Sequence, residues 1–140
     1  MTTPLLELEN LHTFFYTDTG VAKAVDGVSF AVGVGETVGV VGESGCGKSV
    51  TALSILRLVR PPGRIEPGSA MRFEGRDLMT LDEEAMQHVR GNRIAMVFQE
   101  PMTALNPVFT IGDQIGEVAR VHAGMNKRES LAKAVEMLKL

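Results

Sequence analysis

The stretch from Gly42 to Ser49 constrains this chain more than any other. Its letters, GESGCGKS, fit the phosphate-loop pattern of Gly, four variable residues, Gly, Lys and then Ser or Thr. The glycines let the backbone curl around an anion, and successive N–H groups then point at that anion from the start of a helix. Lys48 adds a full positive charge, and the Ser49 hydroxyl is placed to bind Mg²⁺. The loop therefore predicts a site for nucleotide phosphates.

Apolar runs flank the loop in the expected way. The run from Glu36 to Val41 predicts a strand buried on both faces of a parallel sheet, and Val50 to Val59 predicts a helix that Pro61 ends. A further run, Arg93 to Phe98, predicts a neighbouring strand. Because ligands bind at the carboxyl ends of strands in open α/β sheets, we expect Gln99 near the loop. Its amide is suited to ligate Mg²⁺ or to position a water.

Three consecutive aromatic residues, Phe14 to Tyr16, follow a predicted strand at Leu5 to Thr13. Side chains alternate between the two faces of a strand, so no single face accommodates all three. We expect one of them, Phe15 or Tyr16, to stack on an adenine ring. The alternative is that two aromatics pack in the core and one lies at the polar turn of residues 17–20.

The other segments predict short elements joined by loops. We expect strands at Val28–Val32 and Ala70–Phe73, and a helix at Leu81–Val89 capped by Asp82. A turn at Gly33–Gly35, a surface loop at Arg60–Gly68 and a loop at Pro101–Pro107 join these elements. Two further helices are expected at the end of the chain, the first marked by Ile111, Ile115, Val118 and Val121, and the second by Leu131, Val135 and Leu138. No glycine or proline closes the last helix before Leu140. The acidic residues Asp77, Asp82, Glu83 and Glu84 predict a solvated face rather than a metal site.

Composition narrows the class of protein. The chain has 140 residues, 44% of them hydrophobic, which suits about one folded domain. The net charge is −3, and the charged residues form no long run of either sign, which argues against a surface that binds nucleic acid. One cysteine excludes an internal disulfide and is typical of a reducing cytosol. No signal peptide and no membrane span are expected, since no apolar stretch reaches roughly 18 residues.

Four phrases of the sequence carry a resemblance to a known family. KAVDGVSF, GETVGVVGESGCGKS, IAMVFQEPMTALNP and VFTIGDQI resemble the ATP-binding subunit of ATP-binding-cassette importers of the oligopeptide, dipeptide and nickel group. The resemblance implies an α/β P-loop NTPase fold, here as the N-terminal part of a longer protein. Residues 1–35 would form an antiparallel β portion, residues 36–110 the P-loop core, and residues 111–140 the start of a helical subdomain.

The resemblance also assigns roles to residues of this sequence, with ATP and Mg²⁺ as cofactors. Lys48 and Gln99 would be catalytic, Ser49 and Gln99 would ligate Mg²⁺, and Phe15 or Tyr16 would stack on adenine. The remaining nucleotide-binding residues would come from the Walker A loop: Gly42, Glu43, Ser44, Gly45, Cys46, Gly47, Lys48, Ser49 and Val50.

The function implied by the resemblance is energy coupling in an importer of peptides, or of nickel. The partners would be transmembrane permease subunits, a second ATP-binding subunit and, indirectly, an extracytoplasmic substrate-binding protein, at the cytoplasmic face of the plasma membrane; no nucleic-acid partner is expected. The family's Walker B aspartate, catalytic glutamate, signature motif and switch histidine have no match in these 140 residues. The alternatives are a cassette ATPase outside transport, or a nucleotide-binding relic without turnover.

Overall fold

A long antiparallel hairpin organises the first part of the chain. In the computed structural model, which describes residues 3–99 and 105–140, strand β1 (Leu6–Thr17) pairs with strand β2 (Gly20–Val32) across a two-residue turn. Both strands are longer than the sequence predicts, and β1 contains all three aromatic residues. The predicted turn after the aromatics is confirmed, but it is tighter than expected.

Three short strands extend the sheet on the other side of β1. Strand β3 (Gly63–Ile65) pairs with the far half of β1, strand β4 (Ala70–Phe73) with its near half, and strand β5 (Arg76–Asp77) with β4, all antiparallel. The prediction of a loop throughout residues 60–68 is therefore wrong, because β1 offers β3 its unpaired backbone groups. The predicted strand at Ala70–Phe73 is confirmed as β4.

Helix α1 (Lys48–Ile55) packs on this sheet through a buried polar contact. The Thr13 and Ser54 hydroxyl oxygens lie 2.8 Å apart, and both side chains are buried. Around them lies the apolar core of the first unit, whose most deeply buried members are Leu8, Leu11, Met71, Leu78 and Met86. The sheet and α1 thus hold the loop that precedes the helix.

Helix α1 ends earlier than the prolines at 61 and 62 suggest. Arg57 adopts a left-handed conformation (φ 51°), the Arg57 N–H donates to the Ser54 carbonyl, and the Leu58 N–H donates to the Leu53 carbonyl. This is the hydrogen-bond pattern of a Schellman stop, usually made by glycine. The Arg57 guanidinium also donates to the carbonyls of Leu78 (3.0 Å) and Leu81 (2.6 Å), which stabilises the stop.

The two apolar runs expected as parallel strands are not strands, so those predictions are wrong. Residues 36–41 and 93–98 have no ladder partner among the described residues, apart from an isolated parallel bridge between Arg90 and Ile94. Val41 and Val97 are 95% and 96% exposed. An apolar run becomes a strand only where a neighbour accepts its N–H and C=O groups, and composition alone does not supply that neighbour.

The predicted helices are present. Helix α2 (Glu83–Val89) is capped as expected, since Asp82 Oδ1 accepts the Ala85 N–H at 2.8 Å. Helices α3 (Ile111–Ala123) and α4 (Lys127–Met137) pack together through small buried residues, Gly116, Ser130 and Ala134. Helix α4 ends at Met137 with Leu138 as its C-cap, so the expectation that this helix continues to the last residue is wrong.

The described chain divides into two compact units, Met1–Met86 and Gln87–Leu140. The division into segments 1–35, 36–110 and 111–140 stays a prediction. In the part of the chain that is described, no helix is both long enough and apolar enough to cross a bilayer. Most of the phrase PMTALNP lies outside the described residues, as does Glu100.

Candidate nucleotide site

The loop predicted to bind phosphates leads directly into helix α1. Gly45 and Gly47 adopt left-handed conformations, with φ of 83° and 94°, and the Cys46 N–H donates to the Glu43 carbonyl. Gly47 is the N-cap of α1, and no side chain caps the helix or places an acid in its first turn. The first backbone N–H groups of the helix, with the positive end of its dipole, are therefore presented at the loop.

Lys48 lies across the mouth of this loop. Its ammonium donates to the carbonyl oxygens of Gly42 and Glu43, each at 2.7 Å, and lies 3.4 Å from the Cys46 sulfur. Ser49, the next residue, is exposed on the first turn of the helix. The two side chains that the sequence assigns to a phosphate and its metal ion thus lie next to each other, and their roles stay predictions.

The loop is fixed to the sheet at one point. A Cβ atom added to Gly47 would overlap the carbonyl oxygen of Ala24 in β2, and one added to Gly42 would overlap the Cys46 sulfur. Only glycine satisfies both the positive φ and the close approach at Gly47. The loop's position therefore depends on β2 as well as on its own sequence.

A pocket of about 420 Å³ lies between the loop and β2. Its walls include Lys23, Ala24, Val25 and Asp26 of β2, Val40 and Val41 before the loop, and Cys46, Gly47, Lys48 and Thr51. Lys23 brings a second ammonium group to this pocket, 3.3 Å from the Asp26 carboxylate and 5.2 Å from the centre of the Phe14 ring. The hydrogen bond from His12 is the main cause that lowers the pKa of Asp26, and Lys23 adds to it. No motif of the sequence points to Lys23 or Asp26, although both follow closely after the β1–β2 turn.

The candidate stacking residues, Phe15 and Tyr16, differ in their surroundings. Phe15 is half-buried against the chain that follows α1: a Cβ added to Gly63 would lie 2.6 Å from the Phe15 ring and 2.8 Å from Val59. Tyr16 is 37% exposed. Tyr16 is therefore the more exposed of the two, whereas the Phe15 ring packs near Gly63 and Val59.

Tyr16 also belongs to a charged cluster that the sequence analysis did not foresee. The Arg64 guanidinium lies 4.1 Å from the centre of the Tyr16 ring, and the Tyr16 hydroxyl donates to Glu66 Oε1 at 2.9 Å. Arg64 also donates to Glu66 at 2.8 Å, and this hydrogen bond is the main cause that lowers the pKa of Glu66 and raises the pKa of Arg64. No sequence signal joins residues 50 positions apart, so only strand pairing reveals the cluster.

Gln99 is the remaining residue predicted for the site. Gln99 is exposed and belongs to the second unit, and its role as a metal ligand stays a prediction. Within residues 3–99 and 105–140, no group of three or more His, Cys, Asp or Glu side chains is arranged to hold a metal ion.

Comparisons with known proteins show which proteins this chain is similar to. A family model described as ABC transporter matches residues 25–140. A probable peptide ABC transporter ATP-binding protein of Sinorhizobium fredii is 52% identical over 136 residues, covering 97% of this chain and 41% of the relative. A putative peptide import ATP-binding protein of Brucella abortus is 55% identical over 141 residues, with 96% and 41% covered. The oligopeptide transport ATP-binding protein AppD of Bacillus subtilis is 48% identical over 136 residues, with 97% and 42% covered.

Solved structures extend the comparison to the fold. Two dimeric structures of the ATP-binding cassette MJ0796 match with TM-scores of 0.76 and 0.79, at 23% and 24% identity, and each match covers 96% of this chain and 56% of the other. At this identity the likeness concerns the fold alone, and it confirms the predicted P-loop NTPase class. The chain spans about two fifths of the length of the curated relatives it matches.

Proposed function

Because this chain belongs to the ABC transporter family, we propose that it binds MgATP through residues 42–49, as the N-terminal part of the ATP-binding subunit of a peptide importer. The observation that carries the proposal is the loop itself. Lys48, the free start of helix α1 and the left-handed glycines converge on one small region. Helix α4 also begins with a lysine, Lys127, but there the Asn126 side chain caps the first N–H groups of the helix.

The chain's own groups would act on the phosphates by charge and by hydrogen bonding. Lys48 would exchange the carbonyls of Gly42 and Glu43 for phosphate oxygens, and the first N–H groups of α1 would donate to the same anion. The Ser49 hydroxyl would ligate Mg²⁺, which supplies charge to offset the β- and γ-phosphates. At the other end, Phe15 or Tyr16 would stack on adenine: Tyr16 is the more exposed of the two, whereas Phe15 shares the face of β1 on which Thr13 contacts Ser54 of α1.

We assign ATP binding to this chain and ATP hydrolysis to the complete subunit. The family's catalytic glutamate, signature motif and switch histidine are not among these 140 residues. In the complete subunit, Gln99 would contribute to the metal ion or position the attacking water. Turnover therefore requires groups that this sequence does not contain.

The transport role is proposed from the relatives, whose names describe peptide import. Its partners would be transmembrane permease subunits, a second ATP-binding subunit and, indirectly, a substrate-binding protein, with the subunit at the cytoplasmic face of the membrane. Exposed apolar side chains on α3 and α4, among them Val118, Val121 and Leu131, are compatible with a protein partner. Nickel uptake is the alternative substrate class.

Calorimetric titration of MgATP into residues 1–140, beside a Lys48→Ala variant, tests the proposal. A charge pair at about 4 Å contributes about 4 kcal/mol at an effective dielectric of 20, so the variant should bind more than about a hundredfold more weakly. Arg72→Gln is the control, because it removes an exposed cation that lies outside the loop, on strand β4. Equal binding by the wild type and Lys48→Ala would refute the assignment of the loop.

A further inference from the structure

We propose that Thr13 and Ser54 are positioning residues for the phosphate loop. Their buried hydroxyl pair would fix the orientation of helix α1 on the hairpin, and with it the loop from which the helix starts. The inference rests on the proposed function, because it adds two residues to the phosphate end of that site. Neither residue belongs to the motif at residues 42–49, so both would act on the phosphates through the position of α1.

The buried face of α1 is made of hydroxyl side chains rather than apolar ones. The buried residues of this helix are Thr51 and Ser54, whereas Val50, Leu53 and Ile55 are only half-buried. Apolar contacts are not directional, so they restrain the roll of a helix on a sheet only weakly. A hydrogen bond depends on both distance and angle. The contacts of this face therefore favour one orientation of α1.

The hydroxyl groups of Thr13 and Ser54 form a chain with one direction. The Ser54 hydroxyl donates to the Val50 carbonyl at 2.7 Å, which uses its one proton. The Thr13 hydroxyl is therefore the donor in its 2.8 Å contact with the Ser54 oxygen. Both side chains are 0% exposed, so water offers neither of them an alternative partner. Separation of the pair would leave a buried donor unsatisfied, which is costly.

Thr13 is a fixed point of the sheet. Its backbone pairs with Val25 of β2 on one side and with Ile65 of β3 on the other. The Val25 side chain lies 3.6 Å from the position that a Cβ atom would take at Gly47. The same stretch of the hairpin thus contacts α1 at its start and, through Thr13, two turns further along.

These two contacts lie along one face of the helix. Gly47, the N-cap, approaches the Ala24 carbonyl, and Ser54, seven residues later, contacts Thr13. Seven residues make almost two turns and rise about 10 Å. A roll of roughly 20° would move a side-chain atom about 5 Å from the helix axis by about 2 Å, which is enough to break a hydrogen bond. The pair therefore fixes the orientation in which the first turn of α1 meets a phosphate.

Four variants separate the position of the helix from the stability of the fold. Thr13→Val and Ser54→Ala each remove the bond, a double variant carries both changes, and Thr13→Ser keeps a hydroxyl. Ser130→Ala is the matched control, because Ser130 is also 0% exposed, donates to the Lys127 carbonyl at 3.0 Å and accepts from Arg120 at 3.2 Å. We would measure the affinities for MgATP and magnesium tripolyphosphate by calorimetry, and the stability by urea unfolding.

The expected pattern is that affinity follows the hydrogen bond, whereas stability does not. Ser54→Ala should be the least stable variant of the pair, because it leaves the buried Thr13 hydroxyl without its acceptor. The double variant should be more stable, because it removes that hydroxyl as well. Both ligands should bind about fivefold more weakly in all three variants that lack the bond, the factor that corresponds to one net hydrogen bond. Thr13→Ser and Ser130→Ala should bind as the wild type does.

Two results would overturn this inference and leave the proposed function in place. One is wild-type affinity for both ligands in Thr13→Val and Ser54→Ala. The other is an affinity that recovers together with stability in the double variant, because the pair would then act through stability alone. A wild type that binds neither ligand would overturn the proposed function and this inference with it.

Discussion

The two ends of the proposed nucleotide site are built in opposite ways. At the phosphate end, Lys48 contacts carbonyls only five and six residues before it, and the loop is one uninterrupted segment. At the base end, the Tyr16 hydroxyl contacts Glu66, which lies 50 residues away, because β3 pairs with β1. A site whose residues are close together in sequence can be recognised as a motif. A site made by strand pairing is visible only after folding.

The phosphate end nevertheless has one long-range dependence. Gly47 approaches the Ala24 carbonyl so closely that a methyl group does not fit between them. Gly45, two residues earlier, has the same left-handed backbone but open space around it. The pair therefore separates the cost of backbone conformation from the cost of contact with the sheet.

The largest effect is expected for Gly47→Ala against Gly45→Ala. Both substitutions place a side chain on a left-handed residue, at about 1 to 2 kcal/mol each. Gly47→Ala must in addition displace the loop from β2, so we expect it to cost roughly 3 kcal/mol or more of unfolding free energy and to abolish MgATP binding. Urea unfolding and calorimetry measure the two quantities. Equal losses in both variants would mean that the position of the loop does not depend on the contact between Gly47 and β2.

The next effect distinguishes the two candidate aromatics. Phe15→Ala removes a half-buried ring that packs near Val59 and Gly63, and it should lower the unfolding free energy by roughly 2 kcal/mol. Tyr16→Ala removes an exposed ring, and it should leave stability nearly unchanged while weakening ATP about tenfold. Tripolyphosphate binding should be the same in Tyr16→Ala and the wild type. If Phe15→Ala alone selectively weakened ATP, the base would stack on Phe15.

The sequence predicts this molecule best where contacts are local. The phosphate loop, the Asp82 cap and the last two helices follow from short patterns, and the structure contains all of them. The runs at residues 36–41 and 93–98 have the right composition for strands, yet neither forms a strand in the part of the chain that the structure describes. Strand formation depends on a partner, and a single segment of sequence carries no information about that partner.

The cluster of Arg64, Glu66 and Tyr16 could not have been predicted for a related reason. Residues 60–68 contain proline and glycine, which are typical of a loop, and the pairing of β3 with β1 overrides that preference. Even so, one signal was present: three adjacent aromatics cannot all face the core of one strand. This alternation requires that at least one of the three aromatic side chains lie on the other face of the strand. It does not show which residues surround that side chain.

A smaller effect tests the phosphate end without a mutation. Cys46 is the chain's single cysteine, it is exposed, and its sulfur lies 3.4 Å from the Lys48 ammonium. Phosphates bound in the loop should cover this thiol and slow its alkylation by about tenfold or more at saturation. Magnesium tripolyphosphate at saturation should protect as well as MgATP does, because the thiol lies at the phosphate end. Equal labelling with and without either ligand would place the phosphates elsewhere.

The smallest effect concerns the charge of Glu66, which accepts the hydrogen bond from the Tyr16 hydroxyl. The pKa of Glu66 is lowered from its usual value of 4.5, chiefly by the hydrogen bond from Arg64. A carboxyl whose pKa is lower in the folded state stabilises the fold fully above its unfolded pKa, and this stabilisation is lost as the pH falls through its folded pKa. The wild type should therefore lose more thermal stability than Glu66→Gln on acidification from about pH 6 to about pH 3. Asp26→Asn is the comparison variant, since the pKa of Asp26 is also lowered but its partners are His12 and Lys23. Tyr16 is the chain's single tyrosine, so the tyrosine band of the near-ultraviolet circular dichroism spectrum reports on its ring. In Asp26→Asn this band should still weaken with acid, whereas in Glu66→Gln it should be weak at every pH, because the hydrogen bond from the Tyr16 hydroxyl to Glu66 is changed. A band in Glu66→Gln that still followed the pH would mean that another carboxyl holds the ring.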